Sequence, residues 1–133
     1  MASILRVNTL TDASSNNSTA MSTIFNGSAK AWINMNGTGT VAIRDSYNIA
    51  SITDNGTGDY TQTFTGAFTN NDYAPAAVTQ DDESDTSNFT TSYPALYRST
   101  TGLATSAMRL GTGSGSTRYD ITGIFASVHG DLA

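Results

Sequence analysis

The residue types in this chain that can do chemistry each lack something the chemistry needs. His129 is the only histidine and could serve a serine as general base. No G-x-S-x-G elbow presents such a serine, and nothing points to a carboxylate that would orient the imidazole. Asp45, Asp59 and Asp72 are candidates for the carboxylate pair of glycoside hydrolysis, but any acidic protein offers as much. Asp81, Asp82, Glu83 and Asp85 crowd together in QDDESD. A calcium loop needs alternating ligands, a glycine at the bend and a later glutamate, and that pattern is missing, so the run reads as a solvated loop. The G-T-G and G-S-G pieces lack the strand-to-helix setting and the lysine of phosphate-binding loops. There are no cysteines, hence no disulfide, thiolate metal site or cysteine nucleophile. The expectation is a protein without enzymatic activity, metal or cofactor.

The composition narrows the partners. At 133 residues the length suits one domain with its own core. Charged residues make up 13% and the net charge is −5, well below the usual charged share. One lysine and five arginines provide no basic cluster for a phosphate backbone, so nucleic acid is not an expected partner. Nowhere do about 18 apolar residues run together, and MASILRVNTL holds no long apolar stretch, so neither a membrane helix nor a secretory leader is expected. The Asn-X-Ser/Thr matches at Asn16, Asn17, Asn26, Asn36, Asn55 and Asn88 then follow from an abundance of Ser, Thr and Asn. That bias itself favours half-exposed strands joined by turns.

The elements follow from alternation. Ser3 to Leu10 reads as a short strand with apolar groups on both faces, followed by the polar, aperiodic run TDASSNNSTAMST. Residues 1–28 are therefore expected to be an extended arm. Such an arm can be flexible, or can add a strand to a neighbouring subunit or docking site with Met21, Ile24 and Phe25 as anchors. Lys30 to Asn36 alternates strictly, with Ala29, Ala31, Ile33 and Met35 on one face and Lys30, Trp32, Asn34 and Asn36 on the other. The aliphatic face is core. Trp32, the only tryptophan, is either capped by another element or lies at a subunit contact. Asn36-Gly37 opens a turn, and Val41 to Arg44 returns as a strand. Tyr47–Thr53 and Tyr60–Thr65 form a hairpin around DNGTGD, where Asn55-Gly56 supplies positive φ and Gly58 allows a bulge.

Tyr73 to Val78 is a further strand, placed at an edge or a bulge by Pro75. Pro94–Arg98, Ser106–Leu110 and Tyr119–Val128 supply the last strands, with Gly111–Ser116 as a flexible tip. Apolar residues on both faces make the last strand a central one. No stretch holds a sustained helical period. The fold class is all-β, an antiparallel β-sandwich or jelly-roll-like module over residues 29–133, with the extended N-terminal arm before it.

The run AKAWINMNGTGTVAIRDSYNIASITDNGTGDYTQTFT, with NNDYA at Asn70 to Ala74, resembles a recurrent module in virion proteins of marine tailed bacteriophages, often found at the distal ends of tail fibres. The likeness is strong over Ala29 to Ala74. It continues more loosely through SAMRL, TRYD and the final aliphatic strand, with Val128-His129-Gly130 in place of the module's aliphatic–aromatic–Gly close. The resemblance implies an all-β tip or decoration module, commonly a homotrimer, without enzymatic activity. The expected function is that of a virion structural protein, a tail-fibre or appendage module that oligomerises and contributes to host-surface attachment.

The alternative is a capsid decoration protein that stabilises the head. A glycan-cleaving enzyme is the least favoured reading. The expected partners are further copies of the chain, tail or capsid proteins, and a host cell-surface glycan or protein. The place is the virion, assembled in the host cytoplasm. Ile4, Leu5 and Val7 are the candidate docking residues and Trp32 the candidate subunit contact. Phe89, Tyr93, Tyr97 and Ser114, in the exposed loops, are the candidate host-surface contacts, since loops on rigid scaffolds commonly carry contacts.

Overall fold

The computed structural model describes residues 4, 6–80, 93–96, 103–114 and 116–133, with residues 93–96 and 114 described by backbone alone. The chain runs through β1 (Thr9–Thr11), β2 (Ser18–Ala20), α1 (Met21–Gly27), β3 (Ala31–Asn36), β4 (Ala42–Tyr47) and β5 (Ile49–Gly56). It continues through β6 (Asp59–Phe64), β7 (Ala74–Gln80), β8 (Tyr93–Leu96) and β9 (Leu103–Ala104). Last come β10 (Ala107–Ser114), β11 (Thr117–Arg118) and β12 (Gly123–His129). The fold is all-β and sandwich-like, with antiparallel sheets, as the alternation predicts. One sheet is ordered β4-β3-β12-β7. The other follows β11-β10-β6-β5, with β8 and β9 also pairing with β10.

The core lies where the inner faces meet. Ala31, Ile33 and Met35 of β3 and Ile124, Ala126 and Val128 of β12 are buried against Tyr60, Phe64, Met108 and Leu110 of the opposite sheet. Full burial of each large apolar side chain contributes about 1.5–3 kcal/mol. Phe64, Phe68 and Tyr73 close one end as an aromatic cluster with centroids 4.7–5.8 Å apart. Burial pushes the Tyr73 hydroxyl up to about 12. Gln62 is also fully buried; its side-chain amide donates to Met35 Sδ across the sheets at 3.7 Å, while its Oε1 has no protein partner among the described residues.

Several boundaries differ from expectation for identifiable reasons. Tyr47 ends β4 instead of opening the next strand, because Asn48 adopts φ 58° and turns the chain from one sheet to the other. The Asn48 side chain fixes that corner, donating to the Lys30 and Gly66 carbonyls and accepting from Gly66 N at 2.6 Å. The β5–β6 hairpin forms as read, with positive φ at Gly56 and Gly58 and a register shift at Asp54/Gly56. Gly37 serves close approach: a Cβ there would lie 2.6 Å from the Tyr60 hydroxyl, whose oxygen lies 2.9 Å from the Gly37 carbonyl.

The final strand begins at Gly123, not Tyr119. Asp120 is drawn off to accept from Gly58 N at 2.7 Å and from the Tyr60 hydroxyl at 2.9 Å. As expected, β12 is central, between β3 and β7, and β7 is an edge.

The arm is not simply extended. β1 pairs with β2 in a small hairpin; of the expected strand over Ser3–Leu10, Ser3 and Leu5 lie outside the described residues, and among the described ones only Thr9 and Leu10 belong to a strand, β1. The hairpin turn is held by Asp12, which accepts from Asn17 Nδ2 at 2.8 Å and Asn16 N at 2.9 Å. These bonds, the Asn17 one foremost, lower the Asp12 pKa. α1 follows at once and buries none of its residues.

Candidate interaction surface

The register of the β4-β3-β12-β7 sheet sets out its outer face in rows. Tyr47 pairs with Trp32, Trp32 with Ser127 and Ser127 with Ala76. In the next row Asp45 pairs with Asn34, Asn34 with Phe125 and Phe125 with Val78. An open groove of about 480 Å³ lies on this face, lined among others by Trp32, Asn34, Ala76, Val78, Phe125 and Ser127. Trp32 keeps 38% of its surface exposed, Tyr47 53% and Val78 59%. Among the described residues no element covers this face. Of the two environments the sequence allows for Trp32, capping within the described chain is not seen.

The N-terminal arm leads into β3 through Lys30. Met21, Ile24 and Phe25 recur at i, i+3 and i+4, so they share one side of α1. Met21 and Ile24 are exposed, and Phe25 is 52% exposed. Lys30 fixes the helix from below. Its Nζ donates to the Phe25 carbonyl and, at 2.8 Å, to Ser28 Oγ. It also lies 3.6 Å from the Phe25 ring centroid. An ammonium at a helix C-terminus is favourably placed against the unpaired carbonyls there. Lys30 N in turn donates to the Val128 carbonyl at 2.7 Å, which ties the arm to the core.

The other sheet presents a different outer face. Ser51, Thr53, Thr61 and Thr63 pair across β5 and β6, and Asn55 donates to Thr61 Oγ1 at 2.9 Å. Asp59 is buried there beneath two guanidinium groups. Arg109 Nε donates to its Oδ1 at 2.7 Å and Arg118 Nη1 to its Oδ2 at 2.5 Å. The hydrogen bonds from Arg109, then those from Arg118, hold the Asp59 carboxyl below its ordinary range, and Asp59 raises Arg109 in return.

The sequence-predicted residues fall unevenly on this geometry. Asp59 is engaged by the arginines, whereas Asp45 lies on the opposite sheet and Asp72 in a turn where its N–H meets Asn70. The candidate carboxylates are thus not brought together as a pair. His129 ends β12 opposite Ala74. Ile4 and Val7 are exposed at 75% and 38%, and Leu5 lies outside the described residues. Phe89 and Tyr97, with the acidic run Asp81–Asp85, also lie outside them.

The backbone of Tyr93 is paired with Gly113 in β8–β10. Ser114 is not in a flexible tip: Gly111–Ser114 complete β10, and Ser114 pairs with Thr117. The reason is packing. Thr112 is buried and donates its hydroxyl to the Tyr119 carbonyl at 2.6 Å. The groove residues Val78, Phe125 and Ser127 were missed as site candidates: alternation in the last strand separates Phe125 and Ser127 from Ile124, Ala126 and Val128, but with apolar residues on both faces it does not say which face is core.

No protein-family model, curated protein or solved structure matches the chain.

Proposed function

We propose that the chain is a bacteriophage virion structural protein, an appendage module that oligomerises and contributes to attachment at the host surface. The observation that carries this reading is a pair of apolar surfaces left exposed among the described residues, the Trp32–Val78 groove and the Met21–Ile24–Phe25 side of α1. An exposed apolar sheet face and an unburied apolar helix side cost a solitary chain solubility and suit a component of an assembly. The resemblance of Ala29–Ala74 to phage virion modules supplies the setting. The partners in this reading are further copies of the chain, other virion proteins and a host surface glycan or protein. Its place is the particle assembled in the bacterial cytoplasm, and the reading includes no catalytic step.

The arm also favours a second reading, a capsid decoration protein held to the head by residues 1–28. Quantitative mass spectrometry of purified virions, scaled to the major capsid protein, tests both. On the order of tens of copies fits a tail appendage and hundreds fit a head coat, since closed symmetric assemblies fix copy number by position. Absence from particles would overturn both readings.

A further inference from the structure

We infer that Asn26, near the C-terminal end of α1, is a site of spontaneous covalent modification, the one Asn-Gly pair of three that the fold leaves open to it. Its side-chain amide is lost by cyclisation onto the Gly27 nitrogen, leaving aspartate or isoaspartate. This goes beyond the assembly reading and does not rest on it. The chain holds Asn26-Gly27, Asn36-Gly37 and Asn55-Gly56. In each pair the glycine has no side chain to shield its nitrogen, so all three start with similar chemistry. The fold then treats them differently.

The step conserves atoms and electrons. The Gly27 nitrogen attacks the Asn26 side-chain carbonyl carbon, forming a C–N bond and giving up its proton. The bond from that carbon to the side-chain nitrogen breaks, and the nitrogen leaves with the proton as ammonia. Water, the one co-reactant, opens the cyclic imide at either carbonyl. One opening restores the backbone with aspartate; the other reroutes it through the side chain as isoaspartate. Nothing is oxidised or reduced.

Two of the pairs are held back. Asn36 Nδ2 donates to the Thr38 carbonyl at 2.7 Å, and its Oδ1 accepts from Thr38 Oγ1 at 3.0 Å. The Gly37 nitrogen donates to the Ile121 carbonyl at 2.9 Å. Asn55 Nδ2 donates to Thr61 Oγ1 at 2.9 Å, and the Gly56 nitrogen donates to Asp54 Oδ1 at 2.9 Å. At both pairs the side-chain amide and the attacking nitrogen are each tied. Freeing them means opening the end of a strand, β3 or β5.

Asn26 is exposed, and its side chain has no hydrogen-bond partner among the described residues. The space beside Gly27 is open, since a Cβ there would meet nothing within 4 Å. The last turn of α1 must unwind for the two groups to meet, and that costs little. Its seven residues are fewer than the roughly 12 an isolated helix needs, and Asn and Gly are weak helix formers. Beyond the helix's own bonds, Ser28 N to the Ile24 and Phe25 carbonyls and Lys30 Nζ to the Phe25 carbonyl oppose unwinding. No buried residue of α1 adds to them. Either product changes the arm. Aspartate puts a negative charge at the helix end where the macrodipole disfavours one, and isoaspartate lengthens the main chain and interrupts the helical hydrogen bonds.

The test ages the full chain in mildly alkaline buffer, with and without denaturant, and follows the three pairs by peptide mapping and mass spectrometry. Cleavage after Arg6, Lys30, Arg44 and Arg98 places them in separate peptides. In the folded chain Asn26 should convert about ten-fold faster or more than Asn36 or Asn55, because an unpacked helix end opens far more often than core strands. In denaturant the three rates should draw together. Gly27→Ala fills open space at a residue outside the left-handed region, so the variant should fold. Its higher helix propensity alone should slow conversion at Asn26 about five-fold, and the added methyl group further, with Asn36 and Asn55 unchanged. The inference is overturned if Asn26 in the folded chain converts no faster than the other two. It is equally overturned if its lead persists undiminished in denaturant, or if Gly27→Ala converts as fast as wild type.

Discussion

The two outer faces of this sandwich are built from the same pleated geometry and end up with opposite chemistry. On the β5–β6–β10 side, hydroxyl groups, Asn55 and the Asp59–Arg109–Arg118 cluster meet one another's hydrogen-bonding needs within the chain. On the β3–β12–β7 side, Trp32, Phe125 and Val78 surround a groove that the described chain leaves open. The first face is complete in one copy. The second, like α1, keeps large apolar side chains exposed among the described residues. A polar outer face and an apolar one on the same core separate what stabilises the monomer from what the proposed assembly would use, and substitutions on the two faces should fail in different ways.

The largest effect on monomer stability is expected at Asp59. Asp59→Asn removes the charge that two arginines share and should cost about 2–4 kcal/mol in denaturant unfolding, near the lower end for broken buried pairs because both arginines reach solvent. The pH dependence has a definite sign. Arg109 and Arg118 depress the folded pKa of Asp59 below the ordinary 3.8. The carboxylate therefore adds stability at every pH above that value and loses it as the pH falls through the lower folded pKa. The difference between wild type and Asp59→Asn should be constant near neutrality and shrink in acid.

A smaller effect of opposite sign is expected inside the core. Gln62→Leu removes a buried carbonyl oxygen that has no protein partner among the described residues and should raise stability by up to about 1 kcal/mol, read as a higher denaturant midpoint. The smallest effect on the monomer belongs to the apolar face. Val78→Ser should leave unfolding within about 0.5 kcal/mol of wild type, as for ordinary surface sites, while weakening self-association. A large loss of stability there would erase the distinction between the faces.

Much of the sandwich is legible in the sequence because its central strands alternate cleanly. Ala31, Ile33 and Met35 show the core side of β3, and the Asn55-Gly56 turn shows the β5–β6 hairpin. Helix α1 is not legible: seven residues hold a single i, i+3, i+4 set, too short for a period to stand out. Nor is the end of β10, where Gly111 and Gly113 signal flexibility by composition. Gly113 is there because a Cβ would lie 2.2 Å from the Thr117 carbonyl. The exposure of Trp32 could be read from its polar neighbours on β3. The groove could not, since it depends on strands distant in sequence brought together by the register of β12.

The most direct measurement is amide hydrogen exchange across the intact chain at low and high protein concentration. If the arm is completed by another copy, amides of β1, β2 and α1 exchange almost as in an open chain when dilute and slow markedly when concentrated, while β3, β6, β10 and β12 stay protected throughout. Arm amides as protected as those of β12 at the lowest concentration would contradict this, because the arm would then be held by its own chain.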